Sequence, residues 1–190
     1  MGLKIEEGRL PGVLILTSDV YTDERGAFQE TFHQHRYREA GLDAEFVQDN
    51  WSHSARGVLR GLHYQIERPQ GKLVYVVRGE VFDVAVDLRA GSPTFGQWES
   101  VLLNDRDGRQ VYVPPGFAHG FCVLSESADV IYKCTDVYHK AGERGIIWSD
   151  PDLGIDWPER NPSLSPKDRA LPRLREILPA DLPPRGDGMS

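Results

Sequence analysis

Short strand-like runs, each closed by turn residues, follow one another along most of this chain. Leu10–Thr17 carries V-L-I-L after Pro11-Gly12 and reads as a buried strand. Leu73–Val77 and Val81–Leu88 flank Arg78-Gly79-Glu80, which predicts a hairpin. In its second strand Val81, Asp83, Ala85 and Asp87 alternate with Phe82, Val84, Val86 and Leu88, which predicts one wet face and one dry face. Trp98–Leu103, Val111–Val113, Gly120–Leu124 and Val130–Thr135 continue the series, with turns roughly every 8–12 residues. His35–Ala40, stopped by Gly41, is a short helix candidate. The βαβ alternation of a doubly wound fold is missing, so the expected class is all-β, a sandwich or barrel. At 190 residues the chain suits one domain. Eight of its 13 prolines lie from Pro151 onward, so turns and short helical pieces are expected there. Residues 1–178 are expected to form the domain and residues 179–190 a loose tail.

The net charge of −7 argues against nucleic acid as the main partner, because phosphate backbones select basic surfaces. A local cationic cluster can still draw an anionic small ligand into an acidic protein. No apolar run approaches the roughly 20 residues that span a bilayer, and acids at Glu6 and Glu7 stand where a signal peptide would be apolar. Cys122 and Cys134 lack metal-type spacing and read as reduced structural thiols, so a cytoplasmic location is expected.

The chemistry gathers in Arg56–Lys72, R-G-V-L-R-G-L-H-Y-Q-I-E-R-P-Q-G-K. There Arg60, His63 and Lys72 stand among glycines just where an apolar strand begins. Such a place suits a pocket wall, although a basic run can also be a solvated loop. Glu30 lies between Phe28 and Phe32 at alternate positions, so either the strand is an edge or Glu30 has a hydrogen-bonding task. Gln48 and Asn50 share a strand face, as sheet-edge amides or as partners for a sugar or base. His33 and His35 read as surface groups.

A second histidine motif, Gly108-R-Q-V-Y-V-Pro114-P-Gly116-F-A-His119, resembles the second motif of the cupin superfamily of small jelly-roll barrels. Metal-binding cupins carry His-x-His and a later Glu upstream. Here His63-Tyr64-Gln65 stands in that place, with no Glu at the expected distance. A divalent site needs about three or four convergent ligands, so the expectation is a cupin-type jelly roll with a pocket and no metal.

With D-E-R-G-A-F-Q-E-T-F, F-V-Q-D-N, G-V-L-R-G-L-H-Y-Q, P-P-G-F-A-H-G-F, Y-K-C-T-D-V-Y and S-P-K-D-R-A-L-P-R-L in order, the chain closely resembles the dTDP-4-dehydrorhamnose 3,5-epimerase family from about Val13 to Leu174. The resemblance implies a cofactor-independent, metal-free, homodimeric cupin acting on a dTDP-4-keto-6-deoxy sugar. It implies that His63 is the base, paired with Asp168, that Tyr132 is the acid on the opposite face, and that Lys72 lies beside the ketone oxygen. It assigns Arg25, Glu30, Gln48, Asn50, Arg60, His119, Glu143 and Lys167 to nucleotide-sugar binding and Tyr138 to stacking on thymine. Arg25 and Glu30 would serve the partner's site.

These types suit inversion beside a ketone. Imidazole has a reference pKa near 6.5 and can act as a base, a carboxylate can hold its tautomer, and phenol is neutral at pH 7 and can return a proton. An ammonium can hold an enolate oxygen. The alternatives are inversion at C3 or C5 alone, a non-catalytic nucleotide-sugar binder, and a metal-dependent cupin.

Overall fold

The computed structural model describes residues 2–183. In chain order the strands are β1 (Leu3–Glu7), β2 (Leu14–Ser18), β3 (Val20–Asp23) and β4 (Gly26–Gln29), followed by helix α1 (Gln34–Glu39). Then come β5 (Gln48–Ala55), β6 (Leu59–Gln65), β7 (Lys72–Arg78), β8 (Glu80–Asp87) and β9 (Trp98–Asn104). β10 (Arg109–Val113), β11 (Phe117–Val123), β12 (Ser127–Cys134), β13 (Glu143–Gly145) and helix α2 (Pro166–Arg169) complete the set.

Two antiparallel sheets face each other, in the orders β1-β2-β10-β7-β12-β5 and β13-β6-β11-β8-β9. Apart from the β8–β9 hairpin, successive strands from β6 to β12 alternate between the two sheets. This is the expected jelly-roll arrangement. Alternation of side chains then sorts the residues. Val74, Val76, Val81, Ala85, Val111, Val113, Phe117, Phe121 and Val130 point between the sheets and form one core.

β7 and β8 do not form the hairpin expected from Arg78-Gly79-Glu80. They lie in different sheets, and the chain turns a corner between them at Gly79, whose φ is +84°. A Cβ there would sit 2.2 Å from the Ser127 carbonyl oxygen, so the corner closes only on glycine. Nor is either face of β8 wet. Val81, Asp83, Ala85 and Asp87 face the barrel interior. Val84, Val86 and Leu88 pack outward beneath Ile146, Leu153 and Trp157. The proline-rich segment, with Ile146 just before it, thus forms a second hydrophobic layer over the five-stranded sheet. A third cluster, Leu16, Tyr37, Leu42 and Leu73, seats α1 on the six-stranded sheet. That helix is capped by His33, whose ring accepts from the Arg36 N–H, and stops before Gly41 at φ +113°.

β3 and β4 form a two-stranded hairpin apart from both sheets. Its strand ends at Gln29, so Phe28 and Phe32 do not share a strand face with Glu30 between them. Phe28 is 58% exposed on the hairpin, whereas Phe32 packs edge-on against Tyr37 and Phe46. Glu30 sits on the connection into α1 and pairs with Arg36.

The tail expectation changes up to Pro183. The Tyr64 hydroxyl donates to the Asp181 carbonyl at 3.0 Å, Arg144 pairs with Asp181 at 2.8 Å, and the Ala90 N–H donates to the Pro183 carbonyl at 3.0 Å. Residues 179–183 are therefore docked, and residues 184–190 of the expected tail lie outside the described residues.

Candidate active site

Two adjoining cavities of about 250 Å³ each open between the sheets, and His63, Lys72 and Tyr132 line both. Lys72 and Tyr132 arrive there by strand alternation. Lys72 opens β7 on the inward side of Val74 and Val76, and Tyr132 precedes the outward Lys133 on β12.

Arg60 and His63 are three residues apart and would point to opposite faces of a regular strand. A bulge corrects this. His63 pairs with His119 and Arg60 with Phe121, so three steps on β6 match two on β11. Gly61 makes the slip possible: its φ is +125°, and a Cβ would lie 2.6 Å from the Gly120 Cα. Gly61 therefore serves to put Arg60 and His63 on one wall.

His63 Nε2 and Asp168 Oδ1 are 2.6 Å apart. Asp168 is 4% exposed and comes from α2, where the Ser165 hydroxyl caps the helix by accepting from the Asp168 N–H at 3.0 Å. Burial works to raise the Asp168 pKa, but His63, Ser165 and Lys167 outweigh it and hold it below the ordinary carboxylate range. The ionised carboxylate accepts from Nε2–H, which leaves the His63 Nδ1 lone pair free as a base. Burial raises the Tyr132 phenol, which keeps it protonated, and lowers the Lys72 ammonium, against the opposing pull of Cys134, Asp83 and Glu143.

One cavity adds Gln48, Asn50, Tyr138 and Glu143. Gln48 Nε2 donates to Asn50 Oδ1 at 3.0 Å, and Gln48 Oε1 accepts from the Tyr138 N–H at 2.8 Å. The Tyr138 hydroxyl donates to Glu143 at 2.8 Å, and Lys167 pairs with the same carboxylate. Burial would raise the Glu143 pKa, but these two partners hold it low. The Tyr138 ring is 52% exposed and free to stack. The other cavity adds Arg60, His119, Lys167 and Asp168. Arg60 donates to Ser54 Oγ at 2.9 Å and to the His53 carbonyl at 3.3 Å, with the rest of its guanidinium donors still unspent.

Eleven of the thirteen expected residues thus line this pair of cavities. Arg25 and Glu30 do not. Arg25 lies on the β3–β4 hairpin, paired with Asp23 and lining a separate concavity with Tyr21 and Phe28.

Three working residues escaped the sequence reading. Asp83, taken for part of a wet strand face, is 2% exposed, and its Oδ2 lies 2.8 Å from His119 Nε2. Its place two residues from Val81 on an inward face is a signal only once β8 is known to be doubly buried. Ser165 follows a proline-rich turn just before Pro166, a helix-start pattern that could have been read. Gln65 braces two loops at the mouth, donating to the Arg68 carbonyl at 2.7 Å and accepting from the His139 N–H at 2.9 Å. No spacing rule would have found it.

A base oriented by a carboxylate, a half-buried phenol, a lysine amine and a mouth of amides with an exposed tyrosine can accept a nucleotide-linked ketone and move protons beside it. The family model for dTDP-4-dehydrorhamnose 3,5-epimerase matches residues 7–176. The chain is 55% identical over 170 residues to a dTDP-4-dehydrorhamnose 3,5-epimerase of Methanothermobacter thermautotrophicus, covering 88% of this chain and 92% of that one. It is 56% identical over 162 residues to one of Pseudomonas aeruginosa, covering 84% and 90%. The 3,5-epimerase of Legionella pneumophila, solved in complex with dTDP-4-keto-L-rhamnose, superposes with a TM-score of 0.93 at 52% identity, covering 96% of this chain and 98% of that one. The chain belongs to the dTDP-4-dehydrorhamnose 3,5-epimerase family.

Proposed function

We propose that this isomerase inverts C3 and C5 of dTDP-4-dehydro-6-deoxy-D-glucose, giving dTDP-4-dehydro-L-rhamnose. The observation that carries the mechanism is the His63–Asp168 contact opening onto the cavities that Tyr132 and Lys72 also line.

The 4-keto group acidifies the C–H bonds at both neighbouring carbons. His63 Nδ1 takes the proton from one face, and the resulting imidazolium is stabilised by Asp168. The electron pair of the broken C–H bond moves into an enolate, whose oxygen Lys72 holds as an ammonium in a largely dry site. The Tyr132 hydroxyl gives its proton to the carbon from the opposite face, which inverts it. The imidazolium proton and the tyrosinate then re-equilibrate through solvent, and the cycle repeats at the second carbon.

Arg60 and Lys167 supply charge-assisted donors for the pyrophosphate, and His119 lines the same cavity. Tyr138 stacks on the base, with Gln48 and Asn50 hydrogen-bonding beside it and Glu143 holding Tyr138 and Lys167 in place. The chain acts as a homodimer whose β3–β4 hairpin brings Arg25, and the connection just after it Glu30, to the partner's cavity. Tyr21, 47% exposed, and Phe28 support this reading, because such rings on a detached hairpin suit cover by a second protein surface. Both cysteines are free and buried, which fits a reducing, cytoplasmic setting. Among the described residues no helix is long and apolar enough to cross a membrane.

Proton NMR of the substrate with this protein in heavy water tests the reading. Deuterium at C3 and C5 with the ring couplings of an L-sugar is the expected result. Exchange and inversion at one carbon alone would make it a single-position epimerase. Bound sugar with no exchange would make it a binding protein.

A further inference from the structure

One of the two cavities, the one that Arg60 and Asp168 line, is bounded mostly by side chains that carry a nitrogen or oxygen. Of its nine lining side chains Phe121 alone is wholly hydrocarbon. Phe121 is 3% exposed and belongs to the core between the sheets. It reaches the cavity because β11 alternates Phe117, His119, Phe121 and Val123 inward, and it stands opposite both Arg60 on β6 and Asp83 on β8.

A 4-keto-6-deoxyhexose presents a matching exception: its ring substituents are polar except the C6 methyl. That methyl hangs on C5, one of the two carbons whose proton must come within reach of His63 and Tyr132. A sugar placed between those two side chains therefore carries its methyl close to the reacting groups, in a cavity whose one wholly hydrocarbon side chain is Phe121. We infer that the Phe121 ring seats the C6 methyl and makes the enzyme prefer 6-deoxy over 6-hydroxy 4-ketosugars, a conclusion that rests on the function proposed above.

An apolar seat discriminates modestly. It gains from burying the methyl and leaves an added hydroxyl without a partner, which together give about 10- to 100-fold in kcat/KM. The experiment compares deuterium uptake from heavy water at C3 and C5 of dTDP-4-keto-6-deoxyglucose and of dTDP-4-ketoglucose. Wild-type protein is expected to favour the first by about 10- to 100-fold. Phe121→Leu, which keeps an apolar surface, should retain most of the preference. Phe121→Ser should bring the ratio close to one, mainly by slowing the deoxy sugar, with dTDP affinity little changed. A wild-type ratio near one, or a Phe121→Ser ratio equal to wild type in folded, dTDP-binding protein, overturns the assignment.

If Phe121→Ser does not fold, wild-type protein labelled in its phenylalanine rings decides. With a dTDP-6-deoxyhexose that lacks the ketone, an NOE should join the C6 methyl to a ring resonance that is missing from Phe121→Leu. No such NOE overturns the assignment. Absence of exchange on either ketosugar would instead strike the proposed function itself, which separates the two failures.

Discussion

At the level of single side chains, the proposed base depends on a partner 105 residues away in sequence. Asp168→Asn keeps the shape of the partner and removes its charge. An amide oxygen or nitrogen can face Nε2, so the ring loses its fixed tautomer, and the imidazolium loses its counter-charge. By the measure of carboxylates in comparable dyads, kcat should fall by about 10³- to 10⁴-fold while dTDP binding changes little. Deuterium uptake and calorimetric titration with dTDP measure the two quantities. Uptake within a few-fold of wild type would remove Asp168 from the mechanism. Tyr132→Phe should behave differently: His63 still exchanges a proton on its own face, and inversion nearly stops. Full-rate inversion would require another acid. His63, Lys72, Tyr132 and Asp168 were legible because each lies in a dense, ordered motif. Asp83 was not, since a carboxylate on an alternating strand looks solvated until both faces of that strand are known to be covered. Gln65 was invisible for another reason: its partners are backbone groups, whose positions only the fold supplies.

At the level of elements, the strand succession could be read from the chain but its pairing could not. Arg78-Gly79-Glu80 has the look of a hairpin turn, yet Gly79 carries β7 into one sheet and β8 into the other. A tight two-strand turn and a jelly-roll corner both need a residue at positive φ, so local composition does not separate them. What decides is the covering of β8. Leu153 and Trp157 come from the proline-rich segment and Ile146 from just before it; the turns of that segment looked like a periphery and in fact help bury the outer face of the five-stranded sheet. The corner is also a point of low tolerance. In Gly79→Ala the new methyl would meet the Ser127 carbonyl oxygen at 2.2 Å and Ser125 Oγ at 2.4 Å, at a φ of +84° that alanine disfavours. Strain and overpacking together should cost about 2–4 kcal/mol of stability, read as a lower urea midpoint at unchanged m-value. Gly91→Ala is a fitting control: it has a similar φ of +74° and nothing within 4 Å, so it isolates the backbone part of the cost. Equal losses in the two variants would show that the corner is not crowded.

At the level of the whole molecule, two properties follow from where charges are placed. Asp87 is fully buried at the end of β8, where Arg89, Ser92 and Thr94 all donate to it. Burial alone would raise its pKa, but these donors prevail and hold it below the ordinary value. Its folded pKa lies under its unfolded one, near 3.9. The native state therefore binds fewer protons between the two values, and this stabilisation is complete above that range and drains as pH falls through the folded pKa. Asp87→Asn should cost about 3 kcal/mol at pH 7. The gap from wild type should narrow below about pH 4, followed by urea unfolding across pH; a gap that does not vary with pH would show that the carboxylate charge is not what the loop uses. The second property concerns assembly. Eleven of the thirteen candidate site residues line one protomer's cavities, but Arg25 sits on an exposed hairpin away from them. If that arginine completes the partner's site, Arg25→Ala and His63→Ala fail for different reasons that one mixed dimer can repair. The site built on the Arg25→Ala protomer keeps its own His63 and receives an intact Arg25 from the His63→Ala protomer; the other site lacks both. Mixing the two inactive variants and letting the subunits exchange should restore deuterium uptake, whereas either alone stays low. Mixed dimers verified by mass spectrometry that remain inactive would mean that each chain builds its site alone, and the hairpin would then need another role.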